Sequence, residues 1–241
     1  MGRLTAALAA ERTHWKRRLA ASRVRFGTLR TVAPTSRVFG FDRGLPIDRY
    51  YIEKFLARHA ADIRGRVLEV ADNTYTRKFG GDRVVTSDVL YASPGHENAT
   101  LVGDLSSGEG LPLEAFDCIV LTQTLHLVFD VRAAARQVYR MLKPGGVLLA
   151  TVPGISQISR YDMDRWGEFW RFTTLSARRL FEEVGAETVG VDAHGNVLAT
   201  IAFLHGLATE ELRPDELDVC DPDYELLISV RMVKADTGQP C

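Results

Sequence analysis

Two short apolar segments separated by a helical pattern constrain the fold of this chain more than any other feature. Residues 116–121 and 146–152 are apolar, and each has the length of a buried strand. Residues 131–141 have helical spacing, and Lys-Pro-Gly-Gly at 143–146 is typical of a turn that ends a helix. A strand, a helix and a second strand form one crossover of a parallel sheet. The sequence therefore predicts a doubly wound α/β domain.

The rest of the chain supplies further elements of the same kind. Strands are predicted at 65–71, 83–87, 100–102, 187–192 and 224–233, which makes seven in all. Helices are predicted at 3–22, 49–61, 175–184 and 197–212. Only about eleven residues separate the first two strands, so the helix between them is expected to be short or absent.

Composition limits the class of protein. A 46% share of hydrophobic residues and a 25% share of charged residues are ordinary for a soluble globular chain. No apolar run reaches the roughly 18 to 20 residues that span a bilayer. The three cysteines form no disulfide pattern, and no spacing predicts a metal site. We therefore expect a cytoplasmic protein, with membrane-peripheral attachment as an open alternative.

The charge is distributed unevenly along the chain. Residues 1–40 hold nine Lys or Arg and one acid, whereas the remainder holds 21 basic and 30 acidic residues. We divide the chain into a basic amphipathic helical segment, 1–30, and a domain at 31–241. The helix is expected to pack on the domain or a neighbouring subunit, as in a homo-oligomer, or to contact a membrane surface. No motif indicates nucleic-acid binding.

Acidic residues lie at the ends of three successive predicted strands: Glu69, Asp88 and Asp104. Ligands of open α/β sheets bind beyond these ends, at the point where the strand order reverses. Asp88 follows Glu69 by 19 residues, the spacing at which an acid commonly binds ribose hydroxyls. Asp72, Asn73 and Thr74 are polar turn-formers that could bond a zwitterionic ligand. The alternative is that this loop is only a turn in a domain that binds nothing.

NAD is the natural competitor for such a site. It needs glycines that let the backbone approach a pyrophosphate at a helix N-terminus. Residues 71–76 contain no glycine and leave no room for a full helix. A ligand without phosphate is less affected by the absence of glycine.

Several segments carry a resemblance to a known family. The strand at 116–121 and the Lys-Pro-Gly-Gly turn with its strand closely resemble the fourth and fifth strands of class I S-adenosylmethionine (SAM) methyltransferases of the type 11-like kind. Residues 39–51, 72–76, 121–125 and 152–158 are similar to a bacterial subgroup that is often associated with glycosyltransferases. The resemblance covers about residues 35–234. It implies a Rossmann-like, mostly parallel seven-stranded sheet, an antiparallel last strand beside the fifth, and SAM as cofactor.

The same resemblance suggests roles for individual residues. In this family an acid at the position of Glu69 helps to place the SAM amino group, and an acid at the position of Asp104 accepts from the adenine amino group. The family's three glycines are replaced here by Ala71, Asn73 and Tyr75. The predicted cofactor-binding residues are Glu69, Ala71, Asp72, Asn73, Thr74, Asp88, Val89, Asp104, Leu105 and Gln123.

Without those glycines, the methionine carboxylate of SAM needs a different binding partner. Arg43, with Tyr50 or Tyr51, is expected to fold over the site and bind that carboxylate, because a guanidinium matches it bidentately. The alternative is that Arg43 pairs at the surface with Asp42 or Asp48.

The acceptor is constrained less by the sequence. His126, just beyond the fourth strand, is the candidate catalytic base, although the similar histidine of the family is frequently structural. Aromatic residues within 153–172 could stack on a sugar or aromatic ring, or they could pack beneath a lid helix. We expect O-methylation of a glycan or other small-molecule hydroxyl. The alternative is a non-catalytic methyltransferase-like domain that binds another enzyme, such as a glycosyltransferase.

Overall fold

A computed structural model describes residues 27–236, and from Thr35 onward the described chain forms one compact unit. The predicted helix at 3–22 lies outside the described residues. Within them, one sheet contains seven strands: β1 (Gly65–Val70), β2 (Val84–Tyr91), β3 (Leu101–Val102), β4 (Phe116–Thr122), β5 (Leu142–Pro153), β6 (Thr188–His194) and β7 (Leu227–Val233).

The strand order is β3-β2-β1-β4-β5-β7-β6. Neighbours among β1 to β5 are parallel, whereas β7 is antiparallel to both β5 and β6. This arrangement confirms the predicted α/β fold with an antiparallel last strand beside the fifth. The order reverses between β1 and β4, so the carboxyl ends of these two strands are where a ligand site is expected.

Six helices of the described part are α1 (Ile47–Arg58), α2 (Val131–Met141), α3 (Arg160–Met163), α4 (Thr174–Glu182), α5 (Val197–Leu204) and α6 (Pro214–Leu217). The segment between β1 and β2 holds only two short helical turns, Thr76–Gly80 and Gly81–Arg83, as the spacing predicted. None of the helices from residue 27 to 236 has the length and apolar character that crossing a bilayer requires.

Several predicted boundaries are wrong, among them the end of one helix and the start of one strand. The helix predicted at 197–212 ends at Leu204, because Gly206 adopts φ +70° and its backbone lies directly against Ser36. β5 begins at Leu142, so the predicted turn at 143–146 lies within the strand. Leu142 already pairs with Phe116 before the register shifts, which explains the early start.

The sheet is buried on both faces. Leu68 and Leu148 belong to the core that α2 and α4 cover, whereas Val67 and Leu149 belong to the core beneath α1 and α5. Adjacent residues of a strand point to opposite faces, so a strand covered on both sides must be apolar throughout. This double burial is why β4 and β5 were visible in the sequence as continuous apolar runs.

Candidate functional site

The residue directly after β1 and the residue directly after β4 both adopt a left-handed backbone conformation. Ala71 has φ +71° and Gln123 has φ +47°. For residues other than glycine this conformation costs about 1–2 kcal/mol. Ala71 N–H donates to Leu90 O of β2, and Gln123 N–H donates to Thr151 O of β5. Two of the four non-glycine residues with positive φ in the described part of the chain thus lie at the strand ends of the switch point, and such strain often accompanies function.

The loop after β1 is closed by acids of its own segment. The buried Glu69 carboxylate accepts from Tyr75 N–H at 3.3 Å and Thr76 N–H at 2.8 Å. Asp72 Oδ1 accepts from Thr74 N–H at 2.8 Å. Burial raises the pKa of Glu69 to about 7, although these backbone donors act in the opposite direction. Glu69 therefore stabilises the loop through hydrogen bonds to its backbone. Asp72 and Thr74 are exposed on the outer side of the loop.

Asp88 and Val89 lie inside β2 and not at its end, which corrects the predicted strand boundary. The strand continues to Tyr91, so Asp88 pairs with Leu68 in the middle of the sheet. The buried Asp88 carboxylate accepts from Arg66 Nε at 2.7 Å and from Thr100 Oγ1 at 3.0 Å. The buried Val89 donates its N–H to Thr100 Oγ1. Both residues thus have structural partners, and ribose binding by Asp88 stays a prediction.

Tyr91, which the sequence analysis missed, occupies the end of β2. Its hydroxyl group donates to Ala71 O, and its ring stacks on His96 at 3.8 Å between centroids. Burial, followed by the charge of Asp72, raises the pKa of Tyr91. The signal in the sequence was the apolar run of β2, which continues past Asp88.

The other predicted cofactor-binding residues differ in how far they are exposed to solvent. Asp104 follows β3 and is exposed; its carboxylate accepts from Ser106 N–H at 2.7 Å, which lowers the pKa of Asp104. Leu105, by contrast, is buried in the core. Asn73 is half-buried, and its amide donates to Ser87 Oγ at 3.1 Å. Asp104 is therefore the acid among the three that lies open at a strand end.

Arg43 has a partner that the sequence did not indicate, and its binding of the methionine carboxylate stays a prediction. It forms a bidentate pair with Glu211, with Nε to Oε2 at 2.9 Å, and not with Asp42 or Asp48. Tyr50 donates to Asp218, and Tyr51 donates to Leu217 O at 2.9 Å. These three side chains are thus bonded to the segment that follows α5.

Arg49, which the sequence analysis missed, lies beside the loop after β1. Burial alone would lower the pKa of Arg49, but the charges of Asp48 and Asp72 and a hydrogen bond with Tyr75 raise it. Its neighbour Asp48 is buried, and Asp48 Oδ1 has no hydrogen-bond partner among the described residues. The available signal was a basic residue in the first turn of a helix, where the helix dipole disfavours positive charge.

His126, the predicted catalytic base, has an environment that disfavours its charged form. It lies in a short helical turn after β4 and is buried. Burial, followed by the nearby Arg171, lowers the pKa of His126 to about 3. Its conjugate acid is then too acidic to retain a proton near pH 7. A base role for His126 thus has no support from its environment and stays a prediction.

Exposed aromatic rings lie on the segments that follow β4 and β5. Phe129 packs edge-on against Phe169 at 5.3 Å and stacks on Trp170 at 6.1 Å between centroids. Phe169 is 46% and Trp166 50% exposed, which does not fit the predicted alternative that the aromatic residues of 153–172 pack beneath a lid helix. Tyr161 and Trp166 form a second, edge-on pair at 6.0 Å. We call Phe129, Phe169 and Trp170 the aromatic surface.

The described residues also bear on metal chemistry. Between 27 and 236, no three His, Cys, Asp or Glu side chains are grouped in a way that could hold a metal ion.

Comparisons with known proteins identify the family. The model of a family described as a methyltransferase domain matches residues 50–190, more than half of the chain. The ubiquinone/menaquinone biosynthesis C-methyltransferase UbiE of Pectobacterium carotovorum is 35% identical over 39% of this chain and 46% of its own length. A probable polyketide synthase of Dictyostelium discoideum is 30% identical, but only 3% of it is covered. The chain thus spans less than half the length of the curated relatives it matches.

Solved structures share the fold at low sequence identity. A SAM-dependent methyltransferase of Mesorhizobium loti matches 78% of this chain and 100% of its own, with a TM-score of 0.55 and 18% identity. The N-methyltransferase NodS of Bradyrhizobium japonicum, solved with S-adenosylhomocysteine, matches 83% and 94%, with a TM-score of 0.51 and 16% identity. Together with the strand order, the family match shows that this chain belongs to the methyltransferase domain family, the SAM-dependent class that the sequence predicted.

Proposed function

We propose that this chain binds SAM at the carboxyl ends of β1, β2 and β3 and transfers its methyl group to a small-molecule acceptor. The observation that carries the proposal is the pair of left-handed residues at the switch point, Ala71 and Gln123. A conformation that usually requires glycine is kept at both strand ends although neither residue is glycine. Strain of this kind persists where the surroundings require a particular backbone path.

Polar side chains near the carboxyl ends of these strands could bind different chemical groups of SAM. The exposed carboxylate of Asp104 can accept from the adenine amino group, and Asp72 and Thr74 offer polar side chains on the outer side of the loop. SAM supplies an electrophilic methyl group on a sulfonium ion. The chain's own contribution is then to hold donor and acceptor in line, and such positioning can provide most of the acceleration.

The lowered pKa of His126 is one indication of the acceptor atom. A hydroxyl oxygen is a weak nucleophile unless a base removes its proton as it attacks, whereas a neutral amine or an electron-rich ring carbon attacks the methyl group first and releases its proton to solvent afterwards. Among the similar proteins, UbiE is a C-methyltransferase and NodS is an N-methyltransferase. We therefore favour nitrogen or carbon as the acceptor atom. A sugar hydroxyl, as the sequence suggested, stays the alternative.

The aromatic surface suits an acceptor with a planar or apolar ring. Phe129 follows β4, and Phe169 and Trp170 follow β5, so these rings lie on segments that leave the same edge of the sheet as Gln123. Trp170 Nε1 donates to Val128 O at 3.1 Å, which fixes the orientation of the indole. Stacking on such rings typically contributes about 0.5–1.5 kcal/mol beyond burial.

A second candidate function is a methyltransferase-like domain that binds a partner without catalysis. It is favoured by the loop after β1, whose amides at Thr74, Tyr75 and Thr76 are already bonded to Asp72 and Glu69. A partner such as a glycosyltransferase would then replace the cofactor as the ligand that matters.

Calorimetric titration with S-adenosylhomocysteine separates the two functions. We expect micromolar binding, and about a fivefold loss of affinity in Asp104→Asn because one hydrogen bond of about 1 kcal/mol is weakened. Asp215→Asn, at an exposed acid of α6, is the matched control. Incubation with SAM labelled in the methyl group and with amine, phenol and sugar acceptors then identifies the atom methylated. Absence of binding at millimolar ligand would reject the enzyme in favour of the binding domain.

A further inference from the structure

Helix α5 carries apolar side chains on both of its faces. From Gly195 to Ala208 the chain contains no Asp, Glu, Lys or Arg. The inner face of α5, with Ala199, Ala202 and Phe203, belongs to the core that α5 shares with α1. The outer face consists of four side chains that are between 38% and 45% exposed: Val197, Leu198, Ile201 and Leu204. These four fall within about 120° of one another on a helical wheel, so they form one continuous stripe.

The polar residue of α5 lies on the inner face. Thr200 is 4% exposed, and its Oγ1 atom has no hydrogen-bond partner among the described residues. A helix at the surface of a globular protein normally directs its polar residues outward and its apolar stripe inward. Continuous apolar surfaces of soluble proteins usually mark a contact with a protein or a membrane. The outer face of α5 therefore indicates a contact of this kind.

The small size of this face argues against a protein partner, including a second copy of this chain. A specific protein interface buries about 800 Å² and about 20–30 residues on each partner. The loop that packs against the end of α5 adds only Val38, 51% exposed, and Phe41, 59% exposed. Gly40 holds this loop close, because a Cβ atom there would lie 2.9 Å from Leu207 O. A few apolar side chains can nevertheless insert into the headgroup boundary of a bilayer.

Positive charge is linked to the same end of α5. Thr35 N–H and Ser36 N–H both donate to the carbonyl oxygen of His205, the residue after α5, at 2.8 and 3.1 Å. The polypeptide therefore enters the compact unit here, and residues 1–40 hold nine Lys or Arg and one acid. Arg37, the last of the nine, is exposed. Basic residues near an anionic bilayer strengthen binding, and stable attachment generally needs both an apolar and a basic contribution.

We propose that the outer face of α5 inserts into the headgroup region of an anionic lipid bilayer, with the basic residues before Thr35 as the second contribution. β5 and β6 are both antiparallel to β7, so β6 ends at the same edge of the sheet as β5, and α5 begins there. The bilayer would then lie on the side of the molecule at which SAM binding is proposed. Attachment to the bilayer does not depend on SAM, and either can fail without the other.

Sedimentation of the full chain with vesicles tests the proposal. We expect binding to vesicles of equal parts phosphatidylcholine and phosphatidylglycerol, and about tenfold weaker binding to phosphatidylcholine alone. Leu198→Gln combined with Ile201→Gln should lower binding to the mixed vesicles about tenfold, because two apolar side chains no longer leave water. The matched control is Leu113→Gln combined with Leu175→Gln, at positions 60% and 59% exposed and outside α5. It should change binding by no more than about twofold.

Tryptophan substitutions separate insertion from a structural role. Leu198→Trp combined with Ile201→Trp should bind the mixed vesicles at least as tightly as the unsubstituted chain, because Trp is favoured at the membrane interface. Its fluorescence should shift to shorter wavelength when vesicles are added. Weaker vesicle binding in both the Gln and the Trp variants would mean that these side chains support the fold, and the proposal would be wrong.

Three further results would also overturn the proposal. One is equal vesicle binding by the unsubstituted chain and the Gln variant. Another is a dimer in solution that the Gln variant dissociates while vesicle binding stays unchanged, which would make a second copy the occupant of the face. The third is an unsubstituted chain that binds no vesicles and a melting temperature that falls in the Gln variant but not in the control. Residues of the chain itself would then cover the face.

Discussion

Glu69 shows how one residue connects the stability of this fold to its site. Its carboxylate is buried at the end of β1, and it satisfies two backbone N–H groups of the loop that follows. Burial raises its pKa to about 7 from an ordinary value of 4.5. Ionised Glu69 is therefore less favourable in the folded chain than in the unfolded chain. Its contribution to stability is complete below about pH 4.5 and is lost as the pH rises through about 7.

Because the raised pKa of Glu69 makes the folded chain less stable as the pH rises, it gives a measurable prediction for Glu69→Gln. The free energy of unfolding of the unsubstituted protein, measured relative to the variant by urea denaturation, should fall by about 3 kcal/mol between pH 4.5 and 8. The amide does not titrate, so other acids affect both proteins alike and cancel in the difference. A difference that stays constant across this range would show that Glu69 keeps an ordinary pKa.

At the scale of the elements, the loop between β1 and β2 is short, and its first residue has a strained backbone conformation. Ala71 adopts φ +71°, and Ala71→Gly should relieve about 1–2 kcal/mol of strain against about 0.5–1 kcal/mol of added chain entropy. We expect a net gain of about 0.5–1 kcal/mol in the free energy of unfolding, measured by urea denaturation. Ala71→Val, the matched variant at the same position, should be destabilised. A loss of stability in the glycine variant would mean that the alanine methyl group makes contacts that outweigh the strain.

The elements also show which features the sequence could predict. β4, α2 and β5 were recognisable because burial on both faces leaves a continuous apolar run and the helix has its own period. The sequence analysis ended β2 too early because an acid such as Asp88 is typical of a strand end. In the structure, Asp88 lies inside the sheet because Arg66 balances its charge. The pairing of Arg43 with Glu211 joins positions 168 residues apart, and no local pattern encodes such a contact.

At the scale of the whole molecule, the family match begins at residue 50 and the compact unit begins at Thr35, so the basic N-terminal segment is not required to complete the sheet. The sequence predicts that this segment serves localisation or assembly, because its charge is opposite to that of the remaining chain. Removal of residues 1–25 should change the melting temperature by no more than about 2 °C, since no strand or helix of the described sheet is removed. Sedimentation with vesicles that contain anionic lipid, and the oligomeric mass in solution, should both differ between the full and shortened chains. A large fall in melting temperature with unchanged mass and unchanged vesicle binding would instead make the segment part of the folded domain.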